Sequence, residues 1–235
     1  MADIQSPLQF KALEKYTFTM DAIDRVEQLA EFKICCASES AYHPSFWSFL
    51  DEMDVRAEWW HPREGDTVYD VGADYGSYTL PALAAGARVI AWSPPFKTYP
   101  TPFERNVLRR SVKINGFEAD VWRHGLWSRS CWLAAFDGDR MAKEFETEEQ
   151  AKDFIRGQTG HCAAFSAFTL DDTIGNSPDW IKIDTEGAEL HILRGGEKLL
   201  RRDRPKILLE NHLQIDPDCE AKCEAGNEYK QLRHG

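Results

Sequence analysis

The sequence predicts an α/β chain built on a doubly wound, mostly parallel sheet. Three observations carry this. After Pro62 and the turn Glu64-Gly65-Asp66, short apolar runs alternate with longer helical or mixed stretches, the pattern of strands joined by crossover helices. The first two runs, Thr67 to Val71 and Arg88 to Trp92, are separated by so short a helix that they must be parallel neighbours. A glycine-containing loop follows the first run directly, where parallel sheets place their ligands.

Composition sets the outer limits. The 235 residues sit at the upper end of one ordinary domain, with 43 % apolar and 29 % charged residues. Mean hydropathy is −0.51, and no apolar run approaches the roughly 18 residues of a membrane span. A net charge of −11 repels a phosphate backbone and argues against a general nucleic-acid binder. Six cysteines in a chain of this size, with no apolar leader in MADIQSPLQFKALEKY, read as reduced thiols of a cytoplasmic protein. Cys219 and Cys223 are four apart near His212, but without a second Cys pair they are weak evidence for zinc.

Element by element, Ile23, Val26, Leu29 and Ala30 recur at helical spacing from Asp21 to Ile34, and Phe46, Phe49, Leu50 and Met53 repeat the pattern. Residues 1–61 are thus expected to be a helical segment serving as a lid or substrate region, and 62–235 the α/β domain. The remaining strands are expected at Ala119 to Arg123, Trp180 to Asp184 and Lys206 to Glu210. Helices are expected at Ser77 to Ala85, closed by Gly86, at Thr101 to Asn115, and at Gly187 to Leu200. The interval from Arg123 to Asp179 is too long for one crossover and predicts an insertion at about 128–168, with an apolar run at Cys131 to Phe136 and an acidic amphipathic helix face from Asp139 to Arg156.

The chemistry gathers at Asp70-Val71-Gly72-Ala73-Asp74-Tyr75-Gly76-Ser77. Gly72 and Gly76 are four apart, unlike the Gly-x-Gly-x-x-Gly of dinucleotide sites, so a nicotinamide or flavin is disfavoured. The loop resembles motif I of class I S-adenosylmethionine-dependent methyltransferases and, more narrowly, the FkbM family. The matching text runs Gly65-Asp66-Thr67-Val68-Tyr69-Asp70-Val71-Gly72-Ala73-Asp74-Tyr75-Gly76-Ser77-Tyr78-Thr79-Leu80, then Gly86 to Pro94, then Thr169-Leu170-Asp171-Asp172. It continues with Ile181-Lys182-Ile183-Asp184-Thr185-Glu186-Gly187-Ala188-Glu189 and Leu208-Leu209-Glu210-Asn211-His212.

The resemblance implies a Rossmann-like class I methyltransferase fold and S-adenosylmethionine as cofactor, held by Asp70, Gly72, Ala73, Asp74, Gly76, Ser77 and Ser93. The residue types suit it. A sulfonium with an amino-acid tail needs close backbone approach, which Gly72 and Gly76 permit, and an acid near its ammonium, which Asp70 supplies directly or through water. The alternatives are that the glycines make a plain strand-to-helix turn and that Asp74, where the family usually has Asn, only closes the loop. Trp127 is a candidate to stack on adenine, with His124 and Phe165 close by, although a tryptophan is more often core than platform.

Two departures stand out. The family carries Glu-Pro where this chain has Ser93-Pro94, and losing an acid that grips both ribose hydroxyls is expected to cost about 1.5–3 kcal/mol. The antiparallel C-terminal hairpin of the fold is missing from the pattern, which predicts an open edge at Lys206 to Glu210 and pairing there as a homodimer or cover from the N-terminal segment.

Asp184, Glu186 and Glu189 follow the fourth strand as acids able to take a proton from a hydroxyl, orient it or hold a divalent ion. Glu186 reads equally as a helix cap. Lys182 shares a strand face with Asp184 and pairs with it or polarises an acceptor, while Glu210 and His212 point to the same rim. The expected function is an S-adenosylmethionine-dependent methyltransferase acting on a hydroxyl oxygen of a small molecule or sugar. Its catalytic candidates are Asp184, Glu186, His212, Lys182 and Glu210. The rival is a degenerate fold that serves as a binding or assembly module. The basic positions Arg105, Arg109, Arg110 and Lys113, and Arg201, Arg202, Arg204 and Lys206, read as solvated faces rather than a nucleic-acid surface.

Overall fold

The computed structural model describes residues 53–94, 107–136, 139–156, 162–173 and 177–210, together with four short strands at 20–21, 26–28, 33–35 and 230–232. In chain order, β1 (Met20–Asp21), β2 (Val26–Gln28) and β3 (Lys33–Cys35) precede α1 (Met53–Trp59), β4 (Thr67–Val71), α2 (Thr79–Ala84) and β5 (Arg88–Trp92). Then come α3 (Val107–Ile114), β6 (Asp120–Trp122), β7 (Gly125–Leu126), β8 (Cys131–Phe136), β9 (Asp139–Phe145), α4 (Glu148–Ile155) and β10 (Cys162–Phe168). The chain closes with β11 (Trp180–Ile183), α5 (Glu189–Gly195), α6 (Glu197–Asp203), β12 (Lys206–Glu210) and β13 (Lys230–Leu232).

The main sheet has the order β13-β12-β11-β4-β5-β6, and every neighbouring pair is parallel. Its central strands are buried on both faces, which is why they read as near-continuous apolar runs. Alternation splits them between two cores. Val68, Val89, Trp180 and Leu208 pack with Trp60, Tyr78, Leu80 and Val112 on one side. Tyr69, Val71, Ile90, Trp92, Ile181, Ile183 and Leu209 pack with Leu170, Ile192 and Leu199 on the other. Asp70 and Lys182 belong to the first face by the same alternation.

Four expectations are corrected. The helix from Asp21 to Ile34 is replaced by the antiparallel strands β1 to β3, in register Met20↔Glu27 and Val26↔Cys35. Periodicity over so few apolar residues does not separate helix from strand, and cross-strand pairing overrides it. The acidic stretch is not one helix. Its first half is β9, paired antiparallel with β8, and only Glu148–Ile155 is helical, started by a Thr147/Gln150 capping box. With β7 and β10 these strands form a second sheet of order β7-β10-β8-β9.

The third correction is that Gly187 to Leu200 is two helices, broken at Gly195-Gly196. A Cβ on Gly195 would lie 3.0 Å from the Trp127 carbonyl carbon, with the oxygen closer still, so the chain passes Trp127 only as glycine. The Thr169 to Asp172 block serves the same corner: Thr169 and Asp172 form a capping box, and Asp171 accepts from the Lys198 and Leu199 amides at the start of α6. Finally, β12 is not an open edge. β13 pairs with it in parallel, Leu208 opposite Lys230, so the dimerisation argument from that edge falls. His212, Cys219 and Cys223, and the apolar positions from Phe46 to Leu50, lie outside the described residues. No helix of the described residues is long and apolar enough to cross a membrane.

Candidate functional site

The strand order reverses between β4 and β11, and the carboxyl edge of the sheet at such a reversal is where open α/β sheets take their ligands. The loop after β4 is pinned on one side by Gly72 N and Ala73 N, both donating to the Trp92 carbonyl at 3.1 and 3.0 Å. On the other side Gly72 lies against β11. Its φ is +82°, and a Cβ there would lie 2.8 Å from the Asp184 carbonyl carbon and inside contact distance of the oxygen. Gly72 is thus required by the packing of the two loops, whatever else approaches it. Asp74 also adopts a positive φ of 41°, a conformation that Asp and Asn tolerate best among non-glycine residues.

Within this frame Asp70 and Lys182 stand directly opposite each other in the β4–β11 ladder. Asp70 is completely buried. Its Oδ2 accepts from the Thr79 hydroxyl at 2.6 Å, while Oδ1 has no hydrogen-bond partner among the described residues. The Lys182 ammonium, also buried, donates to the Gly72 carbonyl at 3.0 Å and lies 3.1 Å from Asp184 Oδ2, 3.9 Å from Asp70 Oδ1 and 5.0 Å from the Tyr78 ring centre. One ammonium therefore serves two carboxylates. Burial pushes the Asp70 carboxyl above the ordinary range; Lys182 and the Thr79 hydroxyl pull it down and Asp184 adds to the rise.

The loop after β11 is tied at its base, with Asp184 N donating to Val71 O at 3.0 Å. Asp184 is partly exposed, its side chain at 19 %. Glu186 is exposed and takes a positive φ of 57°, an uncommon conformation for glutamate. Helix α5 has no side-chain cap, so Glu186 does not cap it, and the loop is held instead by the buried Glu189. Its Oε1 accepts from Thr185 N (3.0 Å), Thr185 Oγ1 (3.2 Å) and Gly187 N (3.0 Å), so it fixes the loop from within and is withdrawn from any substrate. Glu210, the last residue of β12, is half-buried at the same carboxyl edge.

At the end of β5, Ser93 N donates to the Trp122 carbonyl at 2.9 Å, and the residue is part-exposed. Ser77 and Ala73 are buried under the loop. Two aromatic candidates are corrected. Trp127 is buried, stacked on His191 at 3.7 Å and donating to Glu144 at 2.7 Å, so its ring already has partners in the protein. Phe165 is buried in the second-sheet core with Trp127 and Leu133. His124 is only partly buried and sits edge-on between Trp122 and Phe168, whose exposures are 48 % and 40 %; burial lowers its pKa. These two rings were not singled out because nothing in the sequence marks which of its tryptophans and phenylalanines stay exposed. Thr79 and Tyr78 were missed as well, although both follow the glycine loop directly. No group of three His, Cys, Asp or Glu able to hold a metal ion occurs among the described residues.

A parallel sheet that reverses at its first strand, with a glycine loop after that strand and an acidic loop after its neighbour, is a Rossmann-like doubly wound architecture. The sequence bears this out: residues 70–232 match the Methyltransferase FkbM domain, and the chain belongs to that family. Among solved structures it is similar to an FkbM methyltransferase from Methylobacillus flagellatus KT, at 17 % identity and a TM-score of 0.43, over 74 % of this chain and 48 % of that one. It is also similar to the Pyrococcus abyssi tRNA (uracil-54, C5)-methyltransferase in complex with S-adenosyl-L-homocysteine, at 14 % identity and a TM-score of 0.40, over 82 % of this chain and 34 % of that one. Precorrin-6y C5,15-methyltransferase from Geobacter metallireducens GS-15 aligns at 14 % identity and a TM-score of 0.38, over 81 % of this chain and 73 % of that one. The chain thus spans about half, or less, of the first two structures. No curated protein sequence matches.

Proposed function

We propose that this chain is an S-adenosylmethionine-dependent methyltransferase that acts on a hydroxyl oxygen of a small molecule or sugar. The observation that carries the reading is Asp70 Oδ1, a buried carboxylate oxygen with no hydrogen-bond partner among the described residues, beside the glycine loop at the sheet's reversal point. The Lys182 ammonium stands 3.9 Å from it, too far for a hydrogen bond, so the oxygen keeps room for a donor. The amino group of the cofactor is a donor of that kind. Ala73, Asp74 and Ser77 belong to the same loop, and Ser93 offers a hydroxyl to the ribose.

When bound, the cofactor supplies an electrophilic methyl on a sulfonium. An acceptor hydroxyl held in line with that methyl would give up its proton to a carboxylate at the rim, the C–S electron pair staying with sulfur. Asp184 is placed for that, with Lys182 holding one of its oxygens; Glu186, Glu210 and His212 are the other candidates. Alignment of acceptor and methyl supplies most of the rate, and proton removal a smaller share. A small acceptor rather than nucleic acid is in keeping with the net charge of −11 and with Arg201 and Arg202 being paired to Glu197 and Asp203.

The test is transfer of labelled methyl from S-adenosylmethionine to a panel of glycosides and small alcohols. An alkali-stable ether product that falls at least about 100-fold in Asp184→Asn supports the reading. Label found only on nitrogen, carbon or RNA refutes the oxygen acceptor. Ser93 favours a second reading, a binding module with weak cofactor affinity. It is supported if Ser93→Glu gains cofactor binding that the parent lacks.

A further inference from the structure

The buried lysine of the site is not explained by the transfer reaction itself. Ammonium groups are seldom buried at this depth, and Lys182 is 4 % exposed while its ammonium touches groups from both loops. The Gly72 carbonyl comes from the loop after β4, Asp184 from the loop after β11, and Asp70 stands opposite in the ladder. With both carboxylates ionised, this set carries two negative charges and one positive, a net of one negative charge held out of bulk water.

We propose that Lys182 is a positioning residue that acts as the built-in counter-ion of the site, holding Asp184 in place and setting the preference between S-adenosylmethionine and S-adenosylhomocysteine. The inference rests on the cofactor reading above. S-adenosylmethionine carries a sulfonium, an ammonium and a carboxylate, a net charge of +1; S-adenosylhomocysteine lacks the sulfonium and is neutral overall. The two ligands differ only in the methyl and the charge it brings, so a change in the ratio of their affinities between variants reads the charge of the site. Asp70 and Lys182 are buried, and a fixed charge there is screened far less than at the surface. Lys182 therefore disfavours the charged cofactor relative to its neutral product by one unit of charge. It thereby limits the grip on the sulfonium that methyl transfer must neutralise.

The experiment measures both dissociation constants by calorimetry at pH 7.5 for the parent, Lys182→Arg, Lys182→Met, Asp184→Asn and the double variant Lys182→Met/Asp184→Asn. Lys182→Met should shift the affinity ratio toward S-adenosylmethionine by about tenfold, equivalent to about 1.4 kcal/mol. Lys182→Arg should stay within about twofold of the parent, and Asp184→Asn should shift the ratio the opposite way. The double variant, with one charge of each sign removed, should return to the parental ratio. It also keeps the test open if Lys182→Met alone does not fold. Parallel loss of both affinities with the ratio unchanged in folded Lys182→Met would mean a purely structural lysine and overturn the proposal. So would a double variant that keeps the Asp184→Asn ratio. Failure of the parent to bind either ligand would instead overturn the cofactor reading itself.

Discussion

Replacing Gly72 with alanine sets a new methyl against the backbone of the neighbouring strand end, 2.8 Å from the Asp184 carbonyl carbon, at a φ of +82°. The left-handed backbone alone costs an alanine about 1–2 kcal/mol. Overpacking against an atom that cannot rotate away adds roughly 1–3 kcal/mol, for a total of about 2–5 kcal/mol. Gly65 supplies the control: its φ is +87°, but a Cβ there meets nothing within 4 Å, so Gly65→Ala carries the backbone cost alone. At about 2–4 °C per kcal/mol for a domain of this size, Gly72→Ala should melt about 2–12 °C below Gly65→Ala. Thermal unfolding by circular dichroism reads both variants under one buffer. Because the strain falls between the two loops, cofactor affinity should fall in Gly72→Ala and persist in Gly65→Ala. Equal melting temperatures would refute the claim that Gly72 is set by its contact with Asp184.

Other outcomes follow from the same geometry. Asp70 has a raised pKa, so the folded state holds its proton more tightly than the unfolded chain does. Its contribution to stability is present at low pH and lost as pH rises from about 3.8 through the folded value. Asp70→Asn should therefore melt no lower than the parent at pH 7, and its advantage should shrink on acidification, a convergence that thermal melts from pH 4 to 8 would reveal. Glu189→Ala removes the acceptor of three hydrogen bonds in the loop after β11 and should cost about 1.5–3 kcal/mol, with Glu189→Gln recovering part of it in urea unfolding. Asp171→Ala strips the cap of α6 and should cost about 1 kcal/mol in the same assay. Trp127→Phe keeps the stack on His191 and loses the bond to Glu144, so it should lower stability and leave cofactor affinity unchanged; a drop in affinity would restore Trp127 as the adenine platform.

The parallel strands from Thr67 to Trp92 and from Trp180 to Glu210 were legible because both faces of each are buried, leaving apolar runs bounded by turns. Asp70, Lys182 and Asp184 were legible for the complementary reason: charges inside such runs stand out, and alternation assigns their face. That Lys182 stands opposite Asp70 was not, because register between strands far apart in the sequence is set by tertiary packing. The second sheet escaped notice for a related reason. β9 is read as Asp-Arg-Met-Ala-Lys-Glu-Phe, whose local pattern suits a helix until β8 pairs with it. The roles of Glu186 and Glu189 were blurred by their closeness in sequence; only the three bonds onto Glu189 separate the buried acid that holds the loop from the exposed one.

The most direct measurement is calorimetric titration of the parent protein and of Asp70→Asn with S-adenosylmethionine. Micromolar binding by the parent, weakened at least about 100-fold in a folded Asp70→Asn, is the expected result. Equal binding by the two proteins, or none by the parent at millimolar cofactor, would contradict the assignment of Asp70 and the glycine loop as the cofactor site.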